Sequence, residues 1–346
     1  MNPSEADRLI AALPKAELHL HLEGAIEPAT AVELAARHGV RLTLEEVGAR
    51  YSYVDFLGFL EAFKWVTSFL RDPADYALIT TRHAERLLQQ NVRYAEVTLS
   101  IGVMLLHKQD AEANFAAIHE AAGPFERRGL KLRWVFDAAR QFGHEQALEV
   151  ARLAARLKSE NVVAFGMGGD ELACPAEAFR AAYDHAAGAG LHRLMHAGEI
   201  GGPKEIRDAV ELLGAERIGH GIAVMHDRAL AETLARAGVS LEVCPTSNLR
   251  TGALARQLGR AEASVEDHPV RSFLEHGPPF TLSTDDPAMF QTTLDGEYSA
   301  LVRLGFTPQQ CAEISRRAVA FSFLPAPEKQ ALLAAFDSEF RRLGLV

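Results

Sequence analysis

The sequence predicts an α/β fold of the (β/α)8 TIM barrel type, in a single domain over residues 1–346. Three observations lead to this prediction. Short apolar segments alternate with amphipathic ones, the alternation gives eight strand-helix units, and no linker or low-complexity tract interrupts it. Strands that alternate with helices form a parallel sheet, and eight such units close into a barrel. The chain has 346 residues and 48% hydrophobic content, which suffices for a full-sized core.

The first strand is predicted in the stretch Glu17–Gly24, where Leu alternates with His and Glu. Successive side chains of a strand point to opposite faces, so His19 and His21 share one face. Two imidazoles at this spacing on a strand can converge on one metal ion. Taken alone, the pair is better explained as two ordinary surface histidines, so the rest of the chain has to decide.

Seven further strands are expected where β-branched and aromatic residues cluster between turn residues. They are Val92–Leu99, Leu130–Ala138, Asn161–Met167, Leu191–His196, Arg217–His220, Val239–Cys244 and Phe280–Thr284. Residues with a helical period lie between them. They are Pro28–His38, Pro73–Gln90, Ala111–Arg128, His144–Lys158, Pro175–Ala187, Lys204–Leu213, Asp227–Ala237 and Pro269–His276, with further helices near the N-terminus and from Glu297 to the C-terminus.

The segment Asp55–Leu70 is predicted to be a helix that is hydrophobic on nearly all sides. It carries Phe56, Phe59, Phe63 and Trp65. Such a helix must be covered on more than one side. Two interpretations stay open: a core helix, or a lid within residues 50–72 that forms an apolar wall over the mouth of a site.

Composition and charge exclude several function classes. The net charge of -10 and the lack of a basic run argue against binding to nucleic acid or to a membrane surface. No apolar stretch is long enough to span a bilayer, and the start of the chain lacks a secretory pattern, so a cytoplasmic location is expected. Three dispersed cysteines predict neither a disulfide framework nor a thiolate zinc site. The sequence leaves the oligomeric state open.

The strongest candidates for metal binding and proton transfer all fall at predicted strand ends. In barrels of this type, active sites lie at the carboxyl ends of the strands. The side chains at these ends are His19 and His21 (first strand), Asp170 and Glu171 (fourth), His196 and Glu199 (fifth), His220 (sixth), and Asp285 and Asp286 (eighth). Because one rim collects them all, we expect a shared site. Structural hydrogen bonds are an alternative role for Asp170, Glu171 and the nearby Ser100.

Three imidazoles and one carboxylate form a ligand set suited to zinc. We therefore predict that His19, His21, His196 and Asp285 bind one zinc ion per chain. A bound ion lowers the pKa of water towards ~7 and so provides hydroxide at neutral pH. Glu199 is expected to transfer a proton to or from the substrate, and His220 to orient the attacking water and take its proton.

Six segments together resemble the signature set of the adenosine and AMP deaminase family. The resemblance extends from about Pro14 to Phe323 and implies a metal-dependent hydrolase barrel that removes the 6-amino group of a purine nucleoside as ammonia. The segments are Pro14–Gly24, Gly169–Glu171, His196–Glu199, Arg217–Gly221, Cys244–Asn248 and Ser283–Pro287.

The resemblance also implies a role for each site residue. Glu199 would protonate the purine N1, and His220 would steer the hydroxide towards C6. Asp286 would hydrogen-bond at N7, and the backbone N–H of Gly169 would meet N3 at a distance that a Cβ would prevent. Zinc would lie on the four ligands named above, and the remaining expected substrate contacts are His21 and Glu23.

The group attached at the purine N9 is left open. Adenosine or 2′-deoxyadenosine is the leading expectation, and aminodeoxyfutalosine, with its bulky 5′ tail, is the alternative. Family members that act on nucleosides typically carry Asp where this chain has Glu23, a position that contacts the sugar hydroxyls. Free adenine and N6-substituted nucleosides rank lower, and AMP ranks lowest because no Arg/Lys cluster is expected on the rim.

Two other classes of protein are weighed against a deaminase. Lactonases and phosphotriesterases on this barrel usually bridge two metal ions with a modified Lys, and no Lys ends the fourth predicted strand. A catalytically inactive binding barrel would be expected to have lost Glu199 or a ligand, and all of them are present. The seven other histidines on predicted helices or loops, His83 among them, are expected to be solvated.

Overall fold

Eight parallel strands form a nearly closed barrel in the computed structural model, which describes residues 3–345. Each strand pairs with the next one along the chain, so the predicted (β/α)8 fold is confirmed. Met1, Asn2 and Val346, the ends of the predicted domain, lie outside the described residues. The strands are β1 (Lys15–His21), β2 (Val92–Leu99), β3 (Lys131–Ala139), β4 (Val162–Gly168), β5 (His192–Ala197), β6 (Arg217–His220), β7 (Ser240–Val243) and β8 (Phe280–Leu282).

Helices surround the barrel and cover its ends. In the described part of the chain they are α1 (Pro3–Ala12), α2 (Pro28–Arg37), α3 (Leu44–Arg50), α4 (Phe56–Thr67), α5 (Pro73–Gln89), α6 (Ile101–Leu106), α7 (Ala111–Glu126), α8 (His144–Arg156), α9 (Arg180–Gly188), α10 (Pro203–Glu211), α11 (Arg228–Ala237), α12 (Pro245–Arg250), α13 (Ala253–Leu258), α14 (Val270–His276), α15 (Leu294–Arg303), α16 (Pro308–Phe321) and α17 (Ala326–Arg342).

Short helices account for most of the differences from the sequence-based expectation. No helix is predicted between Pro28–His38 and Asp55–Leu70, but this segment contains α3, which begins at a capping box formed by Thr43 and Glu46. The short helices α6 and α12 follow β2 and β7 directly. Each has six residues, too few for a helical period to stand out in the sequence. The expectation for His83 was wrong, because α5 buries this side chain.

Two backbone hydrogen bonds close the barrel between its first and last strands. The N–H of His21 donates to the carbonyl oxygen of Asp285 at 2.8 Å, and the N–H of Asp285 donates to the carbonyl oxygen of His19 at 3.1 Å. Asp285 adopts a left-handed backbone with φ +66°, which is uncommon for a residue with a Cβ. Barrel closure therefore brings the first and last strands together at the predicted site.

Helix α4 lies against one side of the barrel mouth. Phe59 packs against Phe290 with ring centroids 5.0 Å apart, and Ala62 and Val66 are buried. Leu57 and Lys64, however, are largely exposed, so the helix is not covered on all sides. The wall is thus present, whereas its movement as a lid within residues 50–72 stays a prediction.

Two exclusions from the sequence have structural counterparts. Among residues 3–345, no helix is long and apolar enough to cross a membrane. The three cysteines are free, with Cys244 and Cys311 buried and Cys174 half-buried.

A buried ion-pair network fills part of the barrel interior beneath the rim. Arg217 donates from Nε to Glu242 at 2.6 Å and from a terminal nitrogen to Glu96 at 2.5 Å. Tyr94 donates to the same Glu96 at 2.6 Å, and the guanidinium group lies 3.7 Å from the ring centroid of Phe323. Because the three charged groups are almost completely buried, each depends on the others for compensation.

We expect Arg217→Met to lower the free energy of unfolding by about 3–5 kcal/mol, because it leaves two buried carboxylates without their cation. Denaturant unfolding followed by circular dichroism measures the effect. Arg228→Met is the control, since Arg228 pairs with Glu232 on an exposed surface and should not shift the unfolding midpoint. Equal midpoints for the two variants would contradict the role assigned to the network.

Candidate active site

A cavity of about 400 Å³ opens at the carboxyl ends of the strands. Such a volume falls within the range of small-molecule sites. Most lining residues at the strand ends are polar, whereas most of those from α4 and α6 are apolar, so the cavity suits a ligand with two chemically different parts. The polar part of the lining includes His21, His196, Glu199, His220, Asp285 and Asp286, and the apolar part includes Phe56, Phe59, Leu60, Phe63, Val103 and Leu106.

The structure brings the four predicted metal ligands together. The Nε2 atom of His19 lies 3.2 Å from Oδ1 of Asp285, and the Nε2 atom of His21 lies 3.4 Å from the same oxygen. The Nε2 atoms of His21 and His196 are 3.3 Å apart. Three ring nitrogens and one carboxylate oxygen thus surround a space about as large as a single metal ion.

Hydrogen bonds on the far sides of these groups determine which atoms face the centre. Nδ1 of His19 lies 2.8 Å from Glu242, and Nδ1 of His196 lies 3.0 Å from the carbonyl oxygen of Met167. Since a carbonyl oxygen only accepts, His196 carries its proton on Nδ1 and presents a lone pair on Nε2. Ser247 donates to Oδ2 of Asp285 at 2.7 Å, which leaves Oδ1 for the centre. Converging lone pairs backed by such contacts fit a divalent cation.

His220 lies beside this cluster. Its ring centroid is 5.0 Å from that of His19, and its Nε2 atom lies 3.6 Å from Glu199 and 3.8 Å from Asp285. By distance alone, the four residues whose ligand atoms lie within 4.8 Å of one another include His220 in place of His21. The backbone of His220 is left-handed, with φ +60°, which directs the side chain from the end of β6 into the site.

Glu199 is buried in the polar part of the cavity lining. Burial, and then the negative charges of Asp285 and Glu171, raise its pKa well above that of an ordinary glutamate. Thr251 donates to its carboxylate at 3.3 Å. A glutamate that keeps its proton at neutral pH is equipped to donate it to a bound ligand.

Glu171 holds the loop that carries Glu199. Its carboxylate accepts the backbone N–H groups of Gly198, Glu199, Ile200 and Gly201, the last two at 2.8 Å each. The structural alternative considered for Glu171 is therefore correct. The Glu171 side chain holds the rim loop through these hydrogen bonds and does not line the cavity.

Asp286 lines the cavity and approaches Gly24 closely. Burial and the neighbouring charge of Asp285 raise its pKa well above the usual aspartate range. Its Oδ1 atom has no hydrogen-bond partner among the described residues. A Cβ added to Gly24 would overlap the carboxylate of Asp286, so only glycine fits at this position.

Gly169 also lines the cavity, with a left-handed backbone at φ +83°. Gln141 accepts the backbone N–H of Asp170 at 2.9 Å, and a Cβ on Gly169 would overlap this amide group. Gln141 therefore fixes the loop that presents Gly169. No sequence pattern marks Gln141, because no periodicity links a position after β3 to the end of β4.

The structure does not support the expected sugar contact of Glu23. Its carboxylate accepts the N–H of Ser100 at 3.0 Å and the hydroxyl of Ser100 at 3.2 Å, and it is almost completely buried. Ser100 lines the cavity, whereas Glu23 does not. The longer Glu side chain reaches the end of β2, and a direct substrate contact of Glu23 stays a prediction.

Several supporting residues were missed by the sequence analysis. Glu242 lies on the inner face of β7, and Asp137 lies at the end of β3 and lines the cavity. Burial raises the pKa of Asp137 well above the usual range. Helix α12 supplies Ser247 and Asn248. Both belong to the segment Cys244–Asn248 of the family resemblance, but neither was given a role of its own. The alternation of β3 and β7 could have indicated the two acids.

Comparisons with known proteins agree with this geometry. A family model described as adenosine deaminase matches residues 14–339. The aminodeoxyfutalosine deaminase of Streptomyces coelicolor is 38% identical over 343 residues, which cover 97% of this chain and 87% of that protein.

Solved structures of the same architecture are also similar. The adenine deaminase of Arthrobacter aurescens superposes with a TM-score of 0.88 at 29% identity, covering 95% of this chain and 99% of that one. An amidohydrolase from Burkholderia ambifaria with bound Zn also has a TM-score of 0.88, at 25% identity, covering 98% and 93% of the two chains.

We expect Gly24→Ala to lower kcat/KM for 6-aminopurine deamination at least ~100-fold, because the new methyl group displaces Asp286 and a shift of about 1 Å in a site can cost this much. Gly48→Ala is the matched control, since a Cβ there meets no atom within 4 Å. Both variants should retain the circular dichroism spectrum of the parent. Full activity of Gly24→Ala would show that the position of Asp286 is unimportant.

Proposed function

Because the chain belongs to the adenosine deaminase family, we propose that it deaminates a purine nucleoside with a large 5′ substituent, aminodeoxyfutalosine first among such nucleosides. The family assignment makes the protein a hydrolase of C–N bonds. The observation that carries the finer proposal is the mixed lining of the cavity, in which α4 and α6 add apolar side chains to the polar cluster at the strand ends. This ranks the earlier alternative above adenosine and 2′-deoxyadenosine.

Two further observations support a 5′-substituted substrate. The aminodeoxyfutalosine deaminase of Streptomyces coelicolor is similar over nearly the whole chain. In addition, Glu23 bonds to Ser100 and leaves that side of the cavity without a free carboxylate for a sugar hydroxyl. A site without that polar partner loses little binding free energy when a sugar hydroxyl of the substrate is replaced by a larger apolar group.

We propose that His19, His21, His196 and Asp285 hold one zinc ion. When bound, such an ion lowers the pKa of water and supplies a nucleophile at neutral pH. Glu242 would orient His19 through Nδ1, and Ser247 would orient Asp285 through Oδ2.

The remaining polar groups would bind the purine around the reacting carbon. Glu199, with its raised pKa, would donate its proton to N1 and make C6 more electrophilic. Asp286, which also retains a proton, would donate to N7. The N–H of Gly169 would meet N3, and His220 would stabilise the negative charge that develops as water adds to C6.

Adenine is the second candidate substrate. The adenine deaminase of Arthrobacter aurescens is similar in structure over nearly the whole chain. A free base would occupy the polar part of the cavity and leave the apolar wall of α4 uncovered. We therefore rank it below a substrate that covers this wall.

A substrate panel tests the proposal: aminodeoxyfutalosine, adenosine, 2′-deoxyadenosine, adenine, AMP and N6-methyladenosine, followed by purine absorbance and ammonia release. We expect kcat/KM to be highest for aminodeoxyfutalosine, at least ~10-fold above adenosine, because burial of apolar surface is worth about 25 cal/mol per Å². Phe63→Ala should reduce this preference and leave adenosine turnover nearly unchanged. A preference for adenine would favour the second candidate.

We expect Glu199→Gln to lower kcat by about 10²–10⁴-fold, the range that general acid catalysis supplies, since an amide cannot provide the proton. Metal analysis of the parent and the variant should give one equivalent of zinc per chain in both, which separates the acid from the ligands. Normal turnover by the variant would refute the role of Glu199. Two equivalents in the parent would refute the single-ion site.

A further inference from the structure

A chain of hydrogen bonds connects a backbone N–H group at the start of α14 to the ring of His220. The N–H of Val270 lies 3.1 Å from Nδ1 of His268. Nε2 of His268 lies 3.3 Å from Oδ1 of Asn248, and Nδ2 of Asn248 lies 3.1 Å from Nδ1 of His220. All four residues are buried, so these contacts are sheltered from water.

The first bond fixes the direction of all the others. A backbone N–H can only donate, so Nδ1 of His268 accepts. Burial lowers the pKa of His268 to about 3, and a neutral ring that accepts at Nδ1 carries its proton on Nε2. That proton is donated to the oxygen of Asn248, and the amide nitrogen of Asn248 must then donate to Nδ1 of His220. The reverse amide orientation would place two donors against each other.

From this we infer that Asn248 and His268 are positioning residues that hold His220 as the Nε2–H tautomer, so that it acts as a hydrogen-bond donor in the site. The inference rests on the proposed function for its catalytic meaning, but not for the tautomer itself. The Nε2–H group points towards Glu199 and Asp285, 3.6 and 3.8 Å away.

This tautomer determines whether His220 can accept a proton from water and whether it can bind a metal ion through Nε2. The expectation that His220 takes a proton from water requires a free lone pair on Nε2, which the Nε2–H form lacks. For the same reason, His220 offers no lone pair to a metal ion, although its distance places it in the cluster with His19, His196 and Asp285. His21 is then the third imidazole ligand, and His220 remains available to stabilise developing negative charge.

Helix α12 is built to support this arrangement. Two residues of this helix and the residue that follows it each donate a hydrogen bond to the site: Ser247 to Asp285, Asn248 to His220 and Thr251 to Glu199. Three groups of the site are therefore positioned by one short segment. The left-handed backbone of His220 places its Nδ1 atom against this helix.

The first test is a direct reading of the tautomer. In zinc-loaded protein with ¹⁵N-labelled histidine rings, nitrogen shifts and N–H couplings distinguish the two neutral forms, and the signal of His220 is assigned from a His220→Gln sample. We expect Nε2 to be protonated and Nδ1 to be bare in both His220 and His268. A proton on Nδ1 of His220 overturns the inference whether or not the protein turns over any purine.

The second test removes donors from the chain. Asn248→Leu keeps a side chain that branches at Cγ but has no donor, and we expect kcat to fall about 100-fold with KM changed less than about threefold, since loss of one donor to a developing oxyanion costs about 10²–10³. His268→Leu should lower kcat because the side-chain amide of Asn248 is then free to flip. His268→Gln, which keeps an N–H donor, should restore most of the loss.

His83→Leu is the matched control, because His83 is also a buried histidine but lies outside the cavity and the chain of bonds. It should leave kcat and the His220 signal unchanged. If Asn248→Leu fails to fold, the His268 pair and the parent spectrum still decide. A purely Nε2-protonated His220 in Asn248→Leu or His268→Leu, with parental kcat, would refute the positioning role.

Discussion

The burial of ionisable groups at the carboxyl ends of the strands is the constraint on which the site depends. A buried carboxylate must be paired, bind a cation or keep its proton. Glu242 is paired with Arg217 and His19. Asp285 faces converging imidazoles, which suits a cation. Among the described residues, no Arg or Lys forms an ion pair with Glu199 or Asp286, and burial raises the pKa of both carboxyl groups, which favours their protonated forms. The same burial thus distinguishes an ion-pair partner, a proposed metal ligand and two proposed proton donors among similar acids.

The fold and most of the site were readable from the sequence, for a physical reason. Strand-helix alternation fixes the barrel, and the barrel brings strand ends to one rim, so His19, His196 and Asp285 could be grouped although they lie far apart in the chain. The direction of a side chain just beyond a strand follows no period. The hydrogen bond between Glu23 and Ser100 therefore had no signal in the sequence. Gln141 and Asn248 act through other residues, and no pattern of residue types marks such contacts.

Chemistry and specificity are assigned to separate parts of the cavity. The floor is built from strand ends whose positions are determined by barrel closure and by buried ion pairs, so it tolerates little change. The apolar wall comes from α4 and α6, which lie outside the strand ladder. A barrel with this division can keep one reaction while the wall changes to suit different N9 substituents. Similarity to deaminases of both aminodeoxyfutalosine and adenine is consistent with such a division.

The backbone pairing between Asp285 and the first strand also has a consequence for biosynthesis. His19 and Asp285 are 266 positions apart, and their hydrogen bonds form only when the last strand docks on the first. During translation the two histidines leave the ribosome long before their carboxylate partner is made. On the proposed ligand set, a nascent chain would carry only two of the four ligands through most of its synthesis. Stable capture of an ion would then have to follow docking of the last strand, and the ion would fasten that strand to the first.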